Sequence, residues 1–179
     1  MASVRNISVA VGILIILILF GWIFTAPYLS NQGLGRTPGL IIGGTLTDAP
    51  ADFTIHNDHQ GPLKFKLEGF PSMVNYLSWV ALEDGIITAT RPDGGYWGER
   101  VKAGSNKAWL RLGDNTYKMQ AVQITGSQHL DMMGQWASKS GRTLDEAVYE
   151  GSEPLREWEV FFWTPEPVSY THLRAHETT

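Results

Sequence analysis

The chain opens on one long apolar stretch and then settles into short segments whose apolar and polar positions alternate. From Ile7 to Leu29 no side chain is charged. At about 1.5 Å per residue, roughly 20 such residues cross a hydrocarbon core about 30 Å thick, so 7–29 predicts a transmembrane helix. Trp22 and Tyr28 suit the interfacial aromatic belt, and Pro27 ends the helix where it meets water. A cleaved signal peptide would have a shorter apolar run and a small-x-small cleavage site, which Thr25-Ala26-Pro27 does not supply, so the span is expected to be retained. Residues 30–39 are rich in turn formers and read as a linker.

The remainder predicts one mainly β domain of the α+β type over 40–167. Leu63 to Gly69 alternates apolar and charged residues, the period-2 pattern of a half-buried strand. Val74 to Leu82 and Ile86 to Thr90 are aromatic and β-branched, and Glu83-Asp84-Gly85 between them marks a tight hairpin. Ala108 to Leu112 and Thr116 to Thr125 repeat the arrangement around Gly113-Asp114-Asn115. Tyr96 to Gly104 has room for one or two helical turns. Ser127 to Lys139 has helical spacing, with Leu130, Met133, Trp136 and Ala137 on one face behind a Ser127 cap. A second short helix is expected from Thr143 to Tyr149, where Thr143 and Glu146 stand in capping-box register. Arg156 to Trp163 reads as a closing strand with Trp158, Val160 and Phe162 on one side.

Charge changes this picture in two ways. The 14 basic and 18 acidic residues include no basic block, so nucleic acid is not an expected partner. Arg5 and the α-amino group precede the span, and no Lys or Arg follows it until Arg36. The positive-inside rule then puts the N-terminus in the cytoplasm and the domain outside it, in the periplasm. The absence of cysteine excludes disulfides, thiolate chemistry and Cys-based metal sites.

Candidate chemistry is sparse. No nucleophile elbow, P-loop, HExxH or GxGxxG is present, and Gly43-Gly44 reads as a bulge or turn. His56-Asn57-Asp58-His59 could ligate a metal only if a turn gathered it, and such residues are ordinary turn material, so no metal site is assigned. Arg91, Arg100, Lys102, Lys107 and Arg111 lie near the hairpins beside Gly94-Gly95, with Trp79, Tyr96, Trp97 and Trp109 close in sequence. Cations suit a phosphate and aromatic faces suit a flat heterocycle, while a solvated basic rim is the plainer reading.

The stretch Ala81-Leu82-Glu83-Asp84-Gly85-Ile86-Ile87-Thr88-Ala89-Thr90, followed by Trp97, Val101, Ala103, Leu110-Arg111-Leu112-Gly113, Tyr117 and Ala121-Val122, resembles the flavin-binding split-barrel superfamily. That group contains pyridoxamine phosphate oxidases and deazaflavin-dependent nitroreductases. Trp158 to Pro165 resembles its final strand, and the likeness runs from about Leu40 to Pro165. It implies a small antiparallel split β-barrel with a helix pair near the C-terminus. It also implies FMN or a deazaflavin as cofactor, a small-molecule acceptor, and a homodimer with the cofactor between subunits. Thr90, Arg91, Arg100 and Lys102 would hold the phosphate and Trp97 the ring, making the chain a membrane-anchored oxidoreductase of nitroreductase or quinone-reductase type. The alternative is a non-enzymatic barrel that binds a ligand or partner at the membrane. A haem barrel would draw on His56, His59 and His129. Val168 to Thr179 resembles a translated sequencing adapter, so the helical spacing of His172 and His176 is set aside as artefactual.

Overall fold

The computed structural model describes residues 4–25 and 35–167. Pro27, Tyr28, residues 30–34 of the linker and all of 168–179, with His172 and His176, lie outside the described residues.

The first element, α1 (Val4–Ile23), is a single helix whose window Asn6–Ile23 has a mean hydropathy of 2.5 and is not buried against the rest of the chain. A helix that is apolar all round needs apolar surroundings. By length and composition, α1 can cross a membrane.

The rest is one mostly antiparallel sheet carrying two further helices. Its strands are β1 (Arg36–Pro38), β2 (Thr45–Leu46), β3 (Leu63–Leu67), β4 (Met73–Leu77), β5 (Trp79–Leu82), β6 (Gly85–Thr90), β7 (Lys107–Leu112), β8 (Asn115–Ile124) and β9 (Glu159–Pro165). Hydrogen bonding orders them β1-β4-β3-β7-β8-β9-β6-β5, with β2 parallel to β8. In β3 the alternation does what period 2 requires: Leu63, Phe65 and Leu67 are buried, while Lys64 and Lys66 lie partly out.

Both expected hairpins form. In the β7–β8 turn Gly113 has φ 57°, the left-handed conformation that favours glycine. Gly85 serves differently. It begins β6, paired with Leu82, and a Cβ there would clash with the Trp163 carbonyl oxygen on β9 and lie 2.8 Å from Phe162 Cζ.

Val74 to Leu82 reads as one strand in the sequence, but the structure divides it at Ser78. β4 pairs with β1 and β3, β5 pairs with β6, and the two sit toward opposite ends of the strand order. The apolar run hides this break because it is buried on both sides of it. Indole hydrogen bonds hold the junction, from Trp79 Nε1 to the Gly61 carbonyl at 3.1 Å and from Trp136 Nε1 to the Ser78 carbonyl at 3.2 Å. The sheet curls over a core that includes Phe65, Ile86, Leu110, Met119 and Trp163. Its ladder does not close into a barrel, since β4 and β5 are joined by the chain and not by pairing.

Helix α2 (Gly95–Lys102) follows β6, and α3 (Ser127–Lys139) covers the other face of β5, β6 and β9. Met133, Trp136 and Ala137 are buried there, whereas Leu130 remains 48% exposed. Ser127 is the first helical residue and not the cap, a position held by Gly126 with φ 71°. The second helix of the expected pair does not form. Residues 143–149 make turns and a single bridge, Ala147 to Pro154. Thr143 Oγ1 does donate to Glu146 Oε1 at 3.1 Å, but a capping bond can close a turn as well as a helix. A seven-residue segment barely exceeds a helix nucleus, and Leu144 and Val148 already pack on the α3 cluster from the turn conformation.

The closing strand starts three residues later than its apolar pattern suggests, because Leu155–Glu157 takes a 3-10 turn. Its sidedness is as read: Trp158, Val160 and Phe162 face α3, and Phe161 and Trp163 face the core.

Candidate functional site

The five residues expected around a cofactor fall at one end of the sheet but do not converge. Thr90 ends β6 and is buried, and Arg91 follows it, paired with Asp93 at 3.0 Å. A hydrogen bond with Tyr149, reinforced by Asp93, raises the Arg91 pKa. Trp97 projects into the core, edge-on to Phe65 and Phe161 with ring centroids 5.4 and 4.9 Å away, and is 5% exposed. On the same helix, Arg100 reaches toward the β3–β4 loop and donates to the carbonyls of Glu68 and Pro71 at 2.9 and 3.2 Å. Lys102 turns toward β9 and pairs with Glu159 at 2.7 Å and Glu99 at 2.6 Å, and those two hydrogen bonds raise its pKa. Lys107 pairs with Glu166, and Arg111 donates to the carbonyls of Gly113 and Ile42. These cations therefore already serve groups within the domain.

The histidines are also dispersed. His56 Nε2 bonds the Tyr117 hydroxyl at 2.8 Å, and burial, followed by the charge of His59, lowers its pKa. His129 Nε2 donates to the Trp158 carbonyl at 2.6 Å, and the His59 ring lies 6.4 Å from that of Trp79. Among the described residues, no three His, Asp or Glu side chains gather as a metal site would require.

A cleft forms where the sheet divides. It encloses about 480 Å³ between the 57–62 loop, the Leu77-Ser78-Trp79 junction and the end of α3. Asp52 fixes the approach to that loop by accepting from the Thr54 amide and hydroxyl, which holds its own pKa low, and so starts the 3-10 turn Phe53–His56. Asn57 then ties the loop to β5 like an added strand, donating Nδ2 to the Ala81 carbonyl at 2.9 Å and accepting from the Ala81 amide at 3.0 Å.

Lys139, in the last turn of α3, completes the cleft. Its Nζ stands 3.3 Å from the centroid of the Trp79 ring and 3.4 Å from Asn57 Oδ1. Lys139 is exposed, but its ammonium end sits down against the indole, and that desolvation lowers its pKa. Among the described residues no carboxylate forms an ion pair with it. A larger and more open groove of about 810 Å³ runs between α3 and β5, lined by Val80, Leu82, Leu130 and Asp131, and shares Asn57 and Lys139.

Trp79 was visible in the sequence as one of several aromatics, whereas Lys139 was visible only as a helix-terminal cation. No sequence signal links them, because 60 residues separate them along the chain. No known family, curated protein or solved structure matches the chain.

Proposed function

We propose that this chain is a membrane-anchored binding domain that takes a small anionic ligand with a flat apolar body into the cleft at Trp79 and Lys139. The observation that supports this is the Lys139 ammonium held over the Trp79 ring without a carboxylate partner. A carboxylate or phosphate entering the cleft would supply the missing charge, and its apolar body would lie along Pro62, Leu77 and the indole edges. Tryptophan fluorescence of the detergent-solubilised full chain, titrated with a set of aryl carboxylates and aryl phosphates, tests the reading. Saturable quenching that is lost in Lys139→Met and kept in Arg91→Gln is expected. Equal quenching in the two variants, or none with any compound, would defeat it.

The alternative is the flavin or deazaflavin oxidoreductase, favoured by the placement of Thr90, Arg91, Arg100 and Lys102 at one end of the sheet. For those side chains to grip a phosphate, the pairs of Arg91 with Asp93 and of Lys102 with Glu159 would have to open. A flavin or deazaflavin absorption band that stays with the protein after unbound cofactor is removed, and that is weakened by Arg100→Gln, would favour it over the binding-domain reading.

A further inference from the structure

We infer that the domain docks on the bilayer surface through the β3–β4 loop and the segment after β1, with Phe70, Leu40 and Ile41 entering the interface and Arg36 facing lipid phosphates, while Arg100 holds the loop in place. This rests on the reading that α1 spans the membrane.

The loop between β3 and β4 places Phe70 almost wholly in solvent, at 93% exposure, more than any other large apolar side chain described in the domain. An exposed aromatic at the tip of a fixed loop has no folding role, since it buries nothing. The loop is nevertheless held firmly. Arg100 donates to the carbonyls of Glu68 and Pro71 on either side of Phe70, and the Tyr96 hydroxyl also donates to Pro71 at 3.1 Å. Gly39 continues the same surface: its amide bonds the Ser72 carbonyl at 3.2 Å, and Ser72 Oγ donates to the Gly39 carbonyl at 2.5 Å. Leu40 and Ile41, the next two residues, are 56% and 48% exposed. Two chain segments thus present apolar side chains from one hydrogen-bonded edge.

The cations sit beside them. Arg36 lies over one approach to the Tyr96 ring, 4.5 Å from its centroid, and Arg100 lies 5.5 Å from the same centroid. Aromatic and aliphatic side chains flanked by arginine are suited to the boundary of headgroups and acyl chains, where apolar groups leave water and guanidinium pairs with phosphate.

The tether selects the bilayer as the occupant. β1, which carries Arg36, is the strand that follows α1, and Cα atoms of the two elements approach within 8 Å. The exposed surface belongs to the part of the domain delivered to the membrane by its own anchor. Attachment also raises the effective concentration of lipid at this surface, so three apolar side chains and the Arg36 charge suffice where a free domain would need a larger patch.

The chain lacks cysteine, which permits single labels. Full-length Phe70→Cys, Gly12→Cys and Glu150→Cys variants, each bearing a nitroxide, are reconstituted into phosphatidylcholine vesicles containing a minority of phosphatidylglycerol. Collision with oxygen and with a nickel chelate then reports depth. The expected result is a label at 70 that favours oxygen over nickel severalfold, as the label at 12 does more strongly, while the label at 150 favours nickel. A Leu40→Cys reporter should become severalfold more accessible to nickel when Phe70→Ser is added. Nickel access at 70 equal to that at 150, with position 12 deep, would overturn docking and leave the anchor intact. Nickel access at 12 would overturn the anchor and docking together. A label at 70 shielded from both colliders would mean protein contact and would also overturn docking.

Discussion

Trp163 donates its indole N–H to Thr88 Oγ1 at 2.9 Å, and both residues are completely buried. The bond crosses from β9 to β6 inside an otherwise apolar core, where each polar group has the other as its partner. Thr88→Val keeps the side-chain shape and removes the acceptor, leaving a buried N–H unsatisfied at a cost of about 1–3 kcal/mol. Thr88→Ser, which retains the oxygen, should lose less. Urea unfolding of the two variants in the same detergent checks the order, and equal midpoints for Thr88→Val and wild type would contradict it.

Gly85 predicts a different kind of sensitivity. Its backbone approaches β9 so closely that even a methyl group overlaps the Trp163 carbonyl and crowds the Phe162 ring. Gly85→Ala must push β6 and β9 apart at the end of their ladder, next to the Ile86–Trp163 pair. It should cost about 1–3 kcal/mol as overpacking does, visible as a lower melting temperature. Gly151→Ala is the control: a new Cβ there meets nothing within 4 Å, leaving only the backbone strain of its φ of 81°.

His56 makes stability depend on pH. Its pKa is held below the ordinary histidine value, first by burial and then by the charge of His59, so the folded state prefers the neutral ring more than the unfolded state does. The unfolded chain therefore binds the proton more readily in the window below the ordinary value of about 6.5. Stability is highest above that value and declines as pH falls through it toward the lowered folded value. Urea midpoints should drop between about pH 7.5 and 5.5, and the drop should shrink in His56→Phe. An unchanged drop would assign the pH dependence to other groups.

In the proposed cleft, Lys139 would give binding the opposite pH dependence. Desolvation against Trp79 lowers its pKa, so its positive charge is lost on raising the pH before that of a free lysine side chain. Binding of an aryl carboxylate should weaken as pH rises toward that lowered value, while Lys139→Arg should hold its affinity over the same range. Parallel pH profiles for lysine and arginine would separate binding from this ammonium.

Lys102 and Glu159 predict a modest structural loss. The Glu159 carboxylate is mostly buried, its Oε2 makes no hydrogen bond, and Lys102 holds Oε1. Lys102→Met should destabilise the domain by about 1 kcal/mol, less than for a fully buried pair because the ammonium itself reaches water. Glu159→Gln added to Lys102→Met should recover part of the loss in the same urea assay.

Elements whose cause is local were readable from the sequence. The strand alternation of Leu63 to Leu67, the two hairpins, the buried Met133, Trp136 and Ala137 of α3 and the two-sided closing strand all follow from periodicity and turn residues, whereas Leu130, placed on the same α3 face, stays exposed. What escaped was set by distant partners. The break at Ser78 is invisible in an apolar run because both halves are buried, against different neighbours. Thr143 and Glu146 bond as expected, yet that bond does not decide between helix and turn. The cations of α2 looked available because their carbonyl and carboxylate partners, Glu68, Pro71 and Glu159, are 32, 29 and 57 residues away. The pairing of Lys139 with Trp79 was hidden for the same reason.

The junction at Ser78 brings together, through one residue, strands that the ladder keeps far apart. The cleft opens at that seam, so a molecule seated between the 57–62 loop and α3 would touch parts of the sheet that no hydrogen bond connects directly. It would act as a clasp, and occupancy should register as added resistance of the whole domain to unfolding, growing with the logarithm of ligand concentration. Melting curves could therefore reveal the natural ligand before any activity is assayed.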